Sequence, residues 1–127
     1  MSMEIKTKSK GIGEIAQSYG LDLIVLFGSQ ARGDNRSNSD TDVAYLASAA
    51  LSLMDEARLA LALSTELEQT VDLVDLKKSS PLLSYNIFHD GQSLYEQTPG
   101  LFSDFFVRAV RIYQETRPLY AVKLALL

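Results

Sequence analysis

Residues 21–46 read LDLIVLFGSQARGDNRSNSDTDVAYL, and the fold turns on this stretch. Leu21 to Phe27 is an apolar, β-branched run closed by Gly28, the pattern of a strand buried on both faces. Gly28 to Ser39 holds two Gly, two Arg, two Asn and three Ser, which makes it a loop or at most a weak helical turn. Asp40 to Leu46 resumes strand character. Upstream, Ile12, Ile15, Ala16 and Tyr19 form a helical apolar stripe, with Gly20 where a C-terminal cap belongs. Downstream, Leu53, Ala57, Ala60, Leu61, Ser64 and Leu67 trace one face of a helix over 52–69, opened by Ser52 and Asp55 as an approximate capping box.

Beyond it, Val71 to Leu76 (VDLVDL) alternates with period two, as a strand does. Ser80-Pro81 opens a helix to about His89, which Asp90-Gly91 closes, and Gln92 to Glu96 is a short edge strand. After Pro99-Gly100, a stripe of Phe102, Phe105, Phe106, Ala109, Val110 and Tyr113 predicts a helix to about Arg117, stopped by Pro118. The expected fold class is α/β (α+β), a small mixed sheet flanked by helices. The expected organisation is a single domain over 1–127, with its core at about 10–117. The tail 118–127 is too apolar for a free terminus, so it is either packed on the core or covered by a partner.

Composition narrows the chemistry. The 127 residues carry 12 basic and 16 acidic side chains, a net charge of −4, and are 46% apolar. That suits an ordinary soluble globule expected in the cytoplasm. The acid is concentrated in the middle of the chain, which repels phosphate backbones, so direct nucleic-acid binding is not expected. With no cysteine and one histidine, His89, thiolate and His-cluster metal sites are excluded. No uncharged stretch approaches the roughly 20 residues of a bilayer span, so no membrane segment is expected.

The spacing that carries chemistry is Gly28-Ser29, ten residues, then Asp40-Thr41-Asp42. Carboxylates two apart on a strand share a face at about 6.5–7 Å of rise and can converge on one cation. Hard oxygen donors without Cys or His favour Mg²⁺, or Mn²⁺, with phosphate oxygens completing the shell. Gly28 allows close backbone approach, Ser29 offers a hydroxyl and an amide, and Arg32 a guanidinium fork, so the loop is built for a polyphosphate. VDLVDL supplies a third carboxylate, for a second metal or for the proton of an attacking hydroxyl. Alternation lets only one of Asp72 and Asp75 join Asp40 and Asp42. Asp72 is the choice, because Asp75 lies at the strand end beside Lys77 and Lys78.

Gly28-Ser29-Gln30-Ala31-Arg32-Gly33, Ser39-Asp40-Thr41-Asp42 and Val71-Asp72-Leu73-Val74 together resemble the minimal nucleotidyltransferases of the DNA polymerase beta superfamily, and more narrowly the MNT antitoxins paired with HEPN toxins. The likeness spans about residues 10–117. It implies two Mg²⁺ ions on Asp40, Asp42 and Asp72, the triphosphate of ATP on Gly28 and Ser29 with Arg32 as a further contact, and transfer of AMP to a tyrosine of a cognate HEPN RNase toxin, which neutralises it. It also implies a hetero-oligomer with that toxin. The alternatives are a non-catalytic antitoxin that neutralises by contact, and a small-molecule nucleotidyltransferase, for which the chain leaves little room. Other residues read as structural: His89 as a cation at a helix end, the phenylalanine stripe as core, and Tyr45, Tyr85 and Tyr95 as packing residues.

Overall fold

The computed structural model describes residues 2–28 and 40–125, with side chains described for 10–28 and 40–119. Its elements are α1 (Ser2–Ser18), β1 (Leu21–Phe27), β2 (Thr41–Ala47), α2 (Leu53–Leu67), β3 (Val71–Asp75), a 3-10 turn (Leu76–Lys78), α3 (Pro81–Asp90), β4 (Gln92–Glu96) and α4 (Leu101–Ala125). The four strands form one mixed sheet in the order β3-β2-β1-β4. β1 is antiparallel to both β2 and β4, whereas β2 and β3 run parallel, as the intervening helix α2 requires.

The apolar run of β1 lies at the centre of the sheet because both its faces are covered. Ile24 and Leu26 join Val43, Tyr45, Ile12, Leu59 and Leu63 beneath α1 and α2, while Leu23 and Val25 join Ala44, Leu46, Ile87, Phe88 and Ala109 beneath α3 and α4. Each large side chain fully withdrawn from water there contributes about 1.5–3 kcal/mol. Phe102, Phe105 and Phe106 pack against the second cluster, so the phenylalanine stripe is core. β4 is an edge strand.

Local signals place the helix ends. Gly20 adopts φ 65° just past α1, where a residue with a Cβ is strained. Ser52 caps α2 by accepting from the Asp55 N–H at 3.0 Å, and Ser80 caps α3 by accepting from Leu83 at 3.1 Å with Pro81 in the first turn. Two helices run further than their apolar stripes indicate. α1 begins at Ser2, ahead of the stripe that marks it in the sequence. α4 passes through Pro118 to Ala125, which corrects the expected stop at Arg117. Proline cannot donate to the carbonyl of Gln114, but both residues are exposed, so water is at hand for that carbonyl and the helix continues. At the start of the apolar tail, Leu119 is 67% exposed and is therefore not packed on the core.

Candidate active site

The C-terminal end of β1 and the N-terminal ends of β2 and β3 meet at one edge of the sheet. Phe27 pairs with Asp42, and Asp42 pairs with Asp72. Because β2 and β3 are parallel and in this register, both aspartates are the second residue of their strands and lie on one face, in line with Ala44 and Val74 on the α3/α4 side. Asp40, two residues before Asp42, adds its charge to the same locus. Asp42 is half-buried while Asp40 and Asp72 are exposed. Burial raises the Asp42 carboxyl above its ordinary range, and the negative charges of Asp72 and then Asp40 raise it further. Asp42 is thus a carboxylate held where its own charge is disfavoured, at a cluster that a cation relieves.

Gly28 is required here twice over. Its φ of 78° is one that side chains rarely adopt, and a Cβ on it would collide with the Asp42 carboxylate oxygen and come within 3.2 Å of its Cγ. The backbone at the end of β1 therefore lies directly against the Asp42 carboxylate. Ser29 and Arg32, with the rest of the loop through Ser39, lie outside the described residues.

Asp75, the other carboxylate of VDLVDL, is elsewhere. It pairs with Tyr45 on the opposite face, and its Oδ1 accepts the Lys77 N–H at 2.9 Å to cap the 3-10 turn. Tyr45 is itself buried, and its hydroxyl donates to Glu56 Oε2 at 2.6 Å. Burial first, and then the Glu56 and Asp75 carboxylates, drive its ionisation far above the ordinary tyrosine range. It is a packed, neutral hydroxyl.

Thr41 is a residue that the sequence reading passed over. It is the one buried polar residue among those described, with its hydroxyl donating to Gln69 Oε1 at 2.8 Å and its N–H to the Thr70 carbonyl at 2.8 Å. Alternation turns Thr41 to the α1/α2 face where it turns Asp42 to the α3/α4 face, and the two Thr41 bonds tie the start of β2 to the residues just before β3. A threonine between two aspartates at a strand start was the available signal. His89 sits in the last turn of α3 against Asp90 at 3.0 Å and its ring stacks on Tyr85, which in turn stacks on Tyr113, remote in sequence from the cluster.

Among the described residues, no group of three or more His, Asp or Glu side chains already stands arranged to hold a metal ion. The donor set of Asp40, Asp42 and Asp72 nevertheless fits a hard cation in kind: it is all oxygen and mutually repelling, and its central member is destabilised by burial. None of the described helices is long and apolar enough to cross a membrane.

The model of the family described as "Polymerase beta, Nucleotidyltransferase" matches residues 10–99. The chain is 38% identical over 96 residues to the protein adenylyltransferase MntA of Shewanella oneidensis (strain MR-1), spanning 74% of this chain and 67% of that protein. Among solved structures it is similar to a toxin-antitoxin crystal structure with AMP-PNP, with a TM-score of 0.78 and 30% identity over 92% of this chain and 95% of that one. It is also similar to a chain of the tri-AMPylated Shewanella oneidensis HEPN toxin in complex with MNT antitoxin, with a TM-score of 0.73 and 27% identity over 95% of this chain and 96% of that one.

Proposed function

The chain belongs to the polymerase beta nucleotidyltransferase family, and from that premise we propose that it is a cytoplasmic antitoxin that transfers AMP from ATP to a tyrosine of a cognate HEPN RNase toxin, using Mg²⁺. The observation that carries this reading is the juxtaposition of Asp42 with Asp72 and with the backbone of Gly28. The adenylyltransferase relative, and the AMP-PNP and tri-AMPylated complexes of similar structures, support the nucleotide, the reaction and the partner.

In this proposal residues 1–127 act as one catalytic domain. Asp40, Asp42 and Asp72 are both catalytic and metal-holding, and Gly28, Ser29 and Arg32 hold the triphosphate. When bound, Mg²⁺ supplies positive charge to the triphosphate and to the developing pyrophosphate. The chain's own part is placement. Gly28 admits the phosphates close to the backbone, and the Ser29 hydroxyl with the Arg32 guanidinium aligns them. Asp72, exposed at the sheet edge, takes the proton from the acceptor hydroxyl. The acceptor oxygen then bonds to the α-phosphorus as the bond from that phosphorus to the pyrophosphate oxygen breaks, so AMP is transferred and pyrophosphate leaves.

The test is incubation of the chain with α-labelled ATP and Mg²⁺, with and without the cognate toxin. Label on the toxin, lost in Asp42→Asn and lost on chelation of Mg²⁺, is the expected result. A stable complex that carries no label would instead support neutralisation by contact.

A further inference from the structure

Asp72 stands where its neighbours push it away. β3 is an edge strand of five residues, and Asp42 with Asp72 is the second pair of its parallel ladder with β2. Neighbouring strands lie about 4.8 Å apart, so two carboxylates in register there repel, and Asp40 adds a third charge. The repulsion acts at the end of an edge strand, where a ladder opens most readily. Yet residues 68–71, which deliver Asp72 to its place, are densely hydrogen-bonded.

Two anchors hold this turn between α2 and β3. The first is Ser64, in the last turn of α2. Its carbonyl accepts the N–H groups of Glu68 and, at 3.1 Å, Gln69, while its Oγ accepts the Val71 N–H at 3.0 Å and donates to the Ala60 carbonyl at 2.7 Å. The second is Thr41, between Asp40 and Asp42. Its N–H donates to the Thr70 carbonyl and its hydroxyl to Gln69 Oε1, each at 2.8 Å. Residues 69, 70 and 71 are each bonded to an anchor, and the next residue is Asp72. Glu68 takes φ 56° and ψ 36°, a left-handed conformation that favours glycine, so the turn is held in a shape its own sequence does not prefer. Nor does packing call for a polar group at position 41. Thr41 is 3% exposed on the α1/α2 face, where valine has the same shape and no hydroxyl to satisfy.

We propose that Thr41 and Gln69 are positioning residues: their hydrogen bond clamps the α2–β3 turn to the start of β2 and so sets the separation of Asp72 from Asp40 and Asp42. This rests on the proposed function for the role of the three aspartates, and it assigns the residues that keep them at one spacing. Thr41 suits the task because it shares its backbone with both carboxylates of the Asp-x-Asp pair. A bond made by the middle residue on one face of the strand therefore constrains Asp42 on the other. Displacement of a reacting group by about 1 Å costs up to about a hundredfold in rate. Neither Thr41 nor Gln69 is among the residues assigned to the phosphates, so their loss falls on kcat and on cation affinity rather than on nucleotide affinity.

The experiment compares the full chain with its Thr41→Val, Thr41→Ser and Gln69→Ala variants. It reads Mn²⁺ affinity without nucleotide by electron paramagnetic resonance, kcat and KM for ATP in AMP transfer to the cognate toxin at saturating Mg²⁺, and the melting temperature. Thr41→Val and Gln69→Ala are each expected to weaken Mn²⁺ binding and to lower kcat by about tenfold or more, with KM within about twofold of wild type. Thr41→Ser keeps the donor and loses a methyl group, so it is expected to hold wild-type kcat and Mn²⁺ affinity even where it melts below Thr41→Val. Gln69 is exposed, so its truncation leaves the fold intact. Losses that follow the melting temperature rather than the hydroxyl overturn the proposal, because a merely structural bond behaves that way. So do wild-type kcat and Mn²⁺ affinity in both Thr41→Val and Gln69→Ala. Mn²⁺ binding that weakens in these two variants, with no AMP transferred by wild type, overturns the proposed reaction and leaves the positioning role standing.

Discussion

Two polar clusters flank β2 and β3, and they are built on opposite terms. At one end, on one face, the Tyr45 hydroxyl is buried but satisfied: it gives its proton to Glu56, with Asp75 alongside, and Asp75 caps the following turn. At the other end, on the other face, Asp42 is partly buried beside the Gly28 backbone, and its pKa is raised by burial first, then by the charges of Asp72 and Asp40. The first cluster settles its hydrogen bonds internally and so serves stability. The second keeps an excess of negative charge that its own residues do not offset, and in the proposed function it is the cluster that serves chemistry.

The largest effect that distinguishes the two clusters is on activity. Asp42→Asn is expected to lower AMP transfer by about a thousandfold or more, whereas Tyr45→Phe leaves it within about twofold. Single-turnover rates with labelled ATP check this, and comparable losses in both variants would erase the distinction.

The next is on the backbone beside the second cluster. Gly28→Val must adopt a left-handed φ and displace the Asp42 carboxylate, so it is expected to cost about 1–3 kcal/mol and to lower nucleotide affinity as well. Urea denaturation together with nucleotide titration measures both, and unchanged values in this variant would contradict the close approach. Tyr45→Phe, by contrast, is expected to cost about 1 kcal/mol, because Glu56 loses its donor in a half-buried position.

The smallest effect sharpens the electrostatic half of the comparison. A carboxyl whose pKa is higher in the folded than in the unfolded chain binds its proton more tightly when folded, so stability falls as pH rises from the unfolded value of 3.8 through the raised one. Asp42→Asn removes that cost. Without metal or nucleotide, the variant is expected to melt above wild type at neutral pH, and the difference should shrink as pH falls toward 4. A gap that widened on acidification would reverse the sign assigned to Asp42.

Much of this arrangement was legible in the sequence. Leu21–Phe27 stands as read, because a strand covered on both faces is apolar at nearly every position and needs no partner to be recognised. Alternation within VDLVDL separated Asp72 from Asp75, and the register then set Asp72 beside Asp42. The partner of Thr41 was not legible, since Gln69 lies 28 residues away and nothing local couples them. Nor was the passage of α4 through Pro118, because a solvated helix face tolerates what a packed one does not.

The most direct measurement of the central claim is the intact mass of the cognate toxin after incubation with ATP and Mg²⁺ and, in separate reactions, wild type, Asp72→Asn and Asp75→Asn. The account predicts added AMP with wild type and with Asp75→Asn, and none with Asp72→Asn. AMP added by Asp72→Asn as readily as by wild type, or lost only in Asp75→Asn, would contradict it.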